Sequence, residues 1–251
     1  MALNPKIKDW SGRRVWLVGA SAGIGAALAK ELARRGARLA LSARSSLAGL
    51  GIEGALLLPC DATDRGDLAA ARAAIIQQWG GLDLVVYLAG DYAPMGAADF
   101  DLDRAEKVIA VNFSGAMGLA ASVLPDMQPG GGMAFVASVA GYRGLPRALA
   151  YGPGKAALIH FAECLHLDLA PRGVGVWLIN PGFVSTRLTA QNDFSMPALL
   201  TPEQAAEEIL AGFTQGRFEI HFPKRFTRVM KLLALLPYRI YFPLVRRLTG
   251  A

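Results

Sequence analysis

Cysteine is scarce in this chain, paired histidines are missing, and one end has no acidic residue at all. The two cysteines, Cys60 and Cys164, stand in apolar stretches, and residues 1–10 lack the apolar core of a secretory signal. These absences describe a reduced, cytoplasmic protein without disulfides. No CxxC or HExxH pattern occurs, and His160, His166 and His221 have no paired ligand spacing, so a metal site is not expected. Linkers and internal repeats of fixed period are also lacking. With 53% hydrophobic residues and a mean hydropathy of +0.33, the 251 residues suffice for one large α/β core and exclude a disordered chain.

The net charge of +6 is unevenly placed. Residues 221–251 hold seven basic side chains (Lys224, Arg225, Arg228, Lys231, Arg239, Arg246 and Arg247) and no Asp or Glu, which leaves the remainder at −1. A nucleic-acid enzyme would carry a basic stripe over its body, so nucleic acid is not the expected partner. The tail alone invites an anionic one.

From the N-terminus, the β-favouring run Arg14–Val18 leads into Gly19-Ala20-Ser21-Ala22-Gly23-Ile24-Gly25 and then a helical pattern over 26–35. Strand, glycine turn and helix open a dinucleotide-binding unit. Gly19 permits the turn, Gly23 lets backbone approach a pyrophosphate, and Gly25 lets the helix pack closely with its N-terminus facing phosphate. The next strand, 38–42, ends without the acidic residue that would hold the ribose hydroxyls of NAD. Ser42-Ala43-Arg44 instead offers a small polar group and a guanidinium, which suits the 2′-phosphate of NADP.

Strands then alternate with helices: a strand over 55–58, a helix over 68–79, a strand over 83–88 ending at Ala89-Gly90, and a long helix over 102–124 carrying Asn112. A fifth strand over 133–137 delivers Ser138, and a helix over 148–170 bears Tyr151-Gly152-Pro153-Gly154-Lys155. A sixth strand over 174–179 runs into Asn180-Pro181-Gly182, residues 191–200 read as a loop over the site, and a helix over 202–213 precedes a strand over 218–221. Such alternation gives a doubly wound parallel sheet with helices on both faces and ligands at the strands' C-terminal ends. Tyr151 and Lys155, at i and i+4, share a helix face, where the ammonium would lower the phenol's pKa toward a working range. Gly152, Pro153 and Gly154 make a poor first turn unless Pro153 lies near its start.

In this order and spacing, Gly19-x-x-x-Gly23-x-Gly25, Asp61, Ala89-Gly90, Asn112, Ser138, Tyr151-x-x-x-Lys155 and Pro181-Gly182 make residues 11–221 similar to the classical short-chain dehydrogenase/reductase family. The resemblance implies that Tyr151 is the general acid/base, that Ser138 polarises a carbonyl, that Lys155 tunes Tyr151 and holds the nicotinamide ribose, and that Asn112 supports a water-mediated relay. It assigns cofactor contacts to Gly19, Ser21, Gly23, Ile24 and Gly25, to Arg44, Asp61, Ala62, Ala89 and Gly90, and to Pro181, Gly182, Val184 and Thr186, besides Tyr151 and Lys155. It also implies a dimer or tetramer. Three positions depart from the family pattern: Val18 stands where Thr is usual, Tyr87-Leu88 where Asn-Asn is usual, and Gly152-Pro153-Gly154 between the catalytic pair. The first removes a turn-stabilising hydrogen bond, and the second leaves strand support to packing.

Residues 222–251 extend past this core as a basic, apolar, helical tail. Lys231, Pro237, Arg239 and Pro243 interrupt its apolar stretches well short of a membrane span. It reads either as an interfacial segment lying on anionic lipid, on the inner face of a membrane, or as an arm packing on a partner subunit or capping the pocket. The expected activity is an NADP-preferring interconversion of secondary alcohol and carbonyl on an apolar, possibly lipid-derived substrate. The alternatives are an NAD-linked dehydrogenase with the same site and a nucleotide-binding scaffold without turnover.

Overall fold

The computed structural model describes residues 2–191 and 196–250. Seven strands form one parallel sheet: β1 (Arg14–Val18), β2 (Arg38–Ser42), β3 (Leu56–Leu57), β4 (Leu84–Tyr87), β5 (Gly132–Val136), β6 (Gly175–Pro181) and β7 (Glu219–Phe222). Their order is β3-β2-β1-β4-β5-β6-β7. The winding reverses between β1 and β4, and a crevice opens at the strand ends there.

Side chains alternate across the strands and so build two cores. Val15 and Leu17, Leu84 and Val86, and Trp177 and Ile179 face α1 (Gly23–Arg34) and α6 (Pro202–Gln215), where Leu28, Leu32, Ile209 and Phe213 meet them. Trp16, Val85, Phe135 and Leu178 face the opposite layer of α2 (Arg65–Trp79), α4 (Gly115–Val123) and α5 (Tyr151–Leu169). Each such side chain, buried on a sheet covered on both sides, contributes roughly 1.5–3 kcal/mol. The expected doubly wound α/β sheet is present.

Most of these helices carry their own start signals. Asp64 accepts from the Asp67 N–H at the head of α2, Asp101 from the Arg104 N–H at the head of α3 (Leu102–Ile109), and Thr201 with Gln204 forms a capping box on α6. Helix α1 has no side-chain cap and no acidic residue in its first turn. Its amides are left to something else.

The long helix expected over 102–124 is not uniform, because a π-helical turn, Ala110–Ser114, joins α3 to α4. The run Leu102–Asp126 is long and apolar enough by composition to cross a membrane, yet Val108, Ala116, Leu119, Ala120 and Val123 on it are core residues of this fold. Pro153 is the third residue of α5, where its missing N–H breaks no helical bond. A Cβ on Gly154 would lie 3.2 Å from Ile109 and 3.5 Å from Asn112, so glycine lets α5 close on the π-turn.

Two expectations need correcting. Cys60 is buried, but Cys164 is exposed, on the outer face of α5. Phe222 is a fully buried residue of β7 and not the first of the tail. Within the expected loop over 191–200, residues 192–195 lie outside the described residues; Ser185 and Phe183 pair with Leu200 through main-chain bonds. Beyond β7 the tail is helical as expected, in two pieces, α7 (Lys224–Ala234) and α8 (Tyr238–Thr249).

Candidate active site

A cleft of about 360 Å³ lies at the C-terminal ends of β1, β4, β5 and β6, and every residue expected at the site except Ser42 lines it. Its floor is the glycine turn. Gly19 has φ +97°, and a Cβ there would run into the Ala89 backbone; a Cβ on Gly25 would strike the Gly19 carbonyl. Although Val18 provides no hydroxyl, the turn is pinned, since the Gly19 and Ala20 amides donate to the Ser42 carbonyl at 2.7 and 3.1 Å. The opposite lip folds over from β6, with Thr186 placed so that its methyl would be 2.9 Å from a Cβ on Gly23. Thr189 braces that lip by donating to the Val184 carbonyl at 2.6 Å and accepting from the Thr186 N–H at 3.0 Å.

At the β2 end, Arg44 is exposed at the cleft rim beside Ser45. The serine expected to partner it is elsewhere: Ser42 is fully buried and accepts from Trp16 Nε1 at 2.9 Å. Strand alternation turns residue 42 away from the rim. Asp61 takes Thr63 N–H and Oγ1–H at 2.9 and 2.8 Å; these bonds, chiefly the backbone one, together with Arg44 hold its carboxyl below the usual range despite partial burial.

Deeper in, Lys155 is 3% exposed and donates to the Val136 carbonyl at 2.8 Å. Burial alone pulls its pKa from 10.5 to about 7. Tyr151 goes the other way: burial pushes it up to about 12, a hydrogen bond with Ser138 opposes this, and nearby Tyr92 adds to it. The expected ammonium–phenol coupling is therefore not what sets the tyrosine here. Lys155 Nζ sits 5.6 Å from the Tyr151 ring centre and points to a carbonyl, and both groups are desolvated. Ser138 begins a short 3-10 turn, Val139–Gly141, and accepts from the Ala140 N–H at 3.2 Å, which fixes its hydroxyl at the end of β5.

Asn112 lies in the π-turn, whose extra residue aims it inward. Its Nδ2 donates to the Asp91 and Val108 carbonyls at 2.6 and 2.9 Å, while its buried Oδ1 has no protein partner. That oxygen and Lys155 Nζ both look onto Gly90, 3.3 and 3.8 Å from where a Cβ would be. Tyr87, expected to leave support to packing, instead donates from its hydroxyl to the Val111 carbonyl at 2.6 Å and so ties β4 to this turn.

Sequence reasoning missed Tyr92, edge-on to Tyr151 at 5.0 Å, together with Thr189 and Ser45. Thr189, three residues after Thr186, carries a local turn signal that could have been read. Tyr92 carries none.

The residues fit a dinucleotide. The glycine cradle would be filled by any Cβ, the bare N-terminus of α1 meets it, and buried Lys155 and Asn112 Oδ1 have unused hydrogen-bonding capacity at the far end. The profile of the short chain dehydrogenase family matches residues 13–195. An uncharacterised oxidoreductase of Myxococcus xanthus is 35% identical over 253 positions, covering 96% of this chain and 99% of that one. Among solved structures, a short chain dehydrogenase of Burkholderia cenocepacia in complex with NADP is similar with a TM-score of 0.76 at 25% identity, over 85% of this chain and 97% of that one. A short chain dehydrogenase/reductase of Burkholderia phymatum in complex with NAD shares the fold, with a TM-score of 0.81 at 20% identity, over 90% and 94% of the two chains. On the family match over residues 13–195 and the relative 35% identical across nearly its whole length, the chain belongs to the short-chain dehydrogenase/reductase family and is a nicotinamide-dependent oxidoreductase.

Proposed function

We propose that the protein reduces an apolar ketone or aldehyde, preferring NADP, with Tyr151 as the proton donor. The observation that carries this reading is the placement of the Ser138–Tyr151 pair, hydrogen-bonded to each other on the cleft wall with Lys155 beside them. The Tyr151 phenol is protonated near neutrality and so holds the proton that the reduced oxygen needs. The bound nicotinamide supplies the hydride. Ser138 and Tyr151 present two hydroxyls to the carbonyl oxygen, which gains charge as its carbon is reduced, and Tyr151 Oη then passes its proton to that oxygen. Lys155 and Asn112, both facing Gly90, stand behind Tyr151 as the route by which its proton is replaced. An anionic dinucleotide would also raise the Lys155 pKa, so binding near neutral pH takes up a proton.

Preference for NADP rests on Arg44 and Ser45 at the rim and on the absence of an acidic residue at the end of β2. Apolar substrate preference rests on aromatic side chains beside the cleft lining: Phe226 packs on Phe183 at 5.4 Å and approaches Gly182, and Tyr92 lies edge-on to Tyr151.

The test is NADPH and NADH oxidation with ketones and aldehydes of graded chain length. Turnover should favour NADPH and longer substrates, and Tyr151→Phe should lower it by about 10²–10⁴-fold with cofactor affinity intact. Arg44→Asp should reverse the cofactor preference. Tight cofactor binding without turnover on any substrate would return the scaffold reading.

A further inference from the structure

Helices α7 and α8 turn apolar side chains outward. On α7 the inward side holds buried Thr227 and partly covered Phe226, Met230 and Ala234. The opposite arc, at helical spacing, reads Arg225, Arg228, Val229, Leu232 and Leu235, with Leu232 66% and Leu235 80% exposed. A helix facing water would place polar groups there. On α8 only Tyr241 and Val245 are buried. Their apolar arc continues uncovered on both flanks: Tyr238 and Phe242, stacked at 5.3 Å, on one side, and Ile240 and Leu248 on the other. The remaining arc holds Arg239, Arg246 and Arg247, all exposed.

Charge selects what covers this surface. Residues 221–251 contain seven basic side chains and no acidic one, and among the described residues only Lys231 of the seven has a carboxylate partner, Glu219. A second copy of the tail would bring arginines against arginines around an apolar seam. An anionic bilayer meets both demands, giving phosphates to the arginines and acyl chains to the leucines. At 11 and 12 residues, broken at Pro237, the helices are each about 16–18 Å long, too short to span and suited to lying in the interface.

We propose that α7 and α8 dock on an anionic lipid surface, with Leu232, Leu235, Ile240, Phe242 and Leu248 reaching the acyl boundary and the exposed arginines at the headgroups. The inward side of α7, away from the docked face, adjoins the cleft at Gly182. Phe226 of α7 packs on Phe183 and would be 2.8 Å from a Cβ on Gly182, and the Tyr241 hydroxyl donates to the Gly144 carbonyl at 2.7 Å.

The test is co-sedimentation of the full chain, without substrate, with vesicles of phosphatidylcholine alone or with one third phosphatidylglycerol. Binding should be at least about tenfold tighter to the anionic vesicles and weaken as salt is added. Arg246→Gln with Arg247→Gln should weaken it about thirtyfold, and Leu232→Ser with Leu235→Ser should abolish it while the unfolding temperature holds, since both leucines are exposed. Equal binding to both vesicles, or none, overturns the proposal. A dimer in sedimentation velocity that the leucine substitutions dissociate, with no vesicle binding, assigns the face to a second copy. Because binding is read without turnover, failure here leaves the reductase reading standing, and failure of that reading leaves docking standing.

Discussion

Lys155 in the cleft and Arg143 at the root of the tail are both cations donating to main-chain carbonyls, and they live in opposite regimes. Lys155 has Val136 O as its protein partner and is desolvated, so its charge is marginal near neutrality. Arg143 donates to the Ala234 carbonyl at 2.8 Å and to that of Leu236, at the C-terminal end of α7, and its guanidinium lies over the Tyr238 and Tyr241 rings at 4.4 and 4.2 Å. The helix dipole and the two ring faces both favour a guanidinium there. The cleft holds a charge that a ligand can change; the tail root holds one whose partners are already supplied by the chain.

The sharpest way to break this contrast is Lys155→Met. Turnover should drop by about 10²-fold or more, and the pH dependence of the apoprotein should change with it. The folded lysine loses its proton near 7 and the unfolded one at 10.5, so the unfolded state binds more protons in between and stability rises with pH across that window. Thermal unfolding of wild type at pH 6–9.5 should show the rise, and the substitution should flatten it. Above pH 10 Tyr151 opposes it, because its folded pKa of about 12 exceeds the unfolded 10.

Arg143→Ala should come next. Loss of its hydrogen bonds and ring contacts should cost roughly 2–3 kcal/mol, visible as faster amide exchange in α7 and α8, with cofactor affinity unchanged. Arg143→Lys should recover only part of it, because an ammonium lacks the planar fork. The smallest effect belongs to the cysteines. An aromatic disulfide reagent should modify exposed Cys164 without loss of activity, while Cys60 stays unreactive, its thiol pushed up to about 11 by burial and by Asp67, Asp61 and Asp64.

The cleft was legible in sequence because its parts are local signals: glycines after a strand, a hydroxyl at a strand end, a Tyr-x-x-x-Lys helix face. The parallel, doubly wound sheet followed from alternation. What was not legible depends on partners far along the chain. Tyr142 donates to Glu219 at 2.6 Å across 77 residues, Asn180 Nδ2 meets the same carboxylate at 2.8 Å, and Lys231 closes the cluster from the tail. Nothing near any one of these residues announces the others. Ser42 was misread for a different reason: its position was right, but a one-residue parity in the strand sends its side chain to Trp16. Tyr87 was misread because a buried phenol resembles a packing residue until its hydroxyl finds Val111.

The uncapped start of α1 makes the nucleotide a structural part as well as a reagent. Ser, Thr, Asp or Asn would close that helix permanently; on the proposed reading a pyrophosphate would do so only when bound, and folding and loading would become one linked equilibrium. At ligand a hundredfold above its Kd the gain is about 2.7 kcal/mol. The pyrophosphate is common to both dinucleotides, so the melting shift that each produces reports the shared cap. The difference between the two shifts measures the contact proposed between Arg44 and the single extra phosphate.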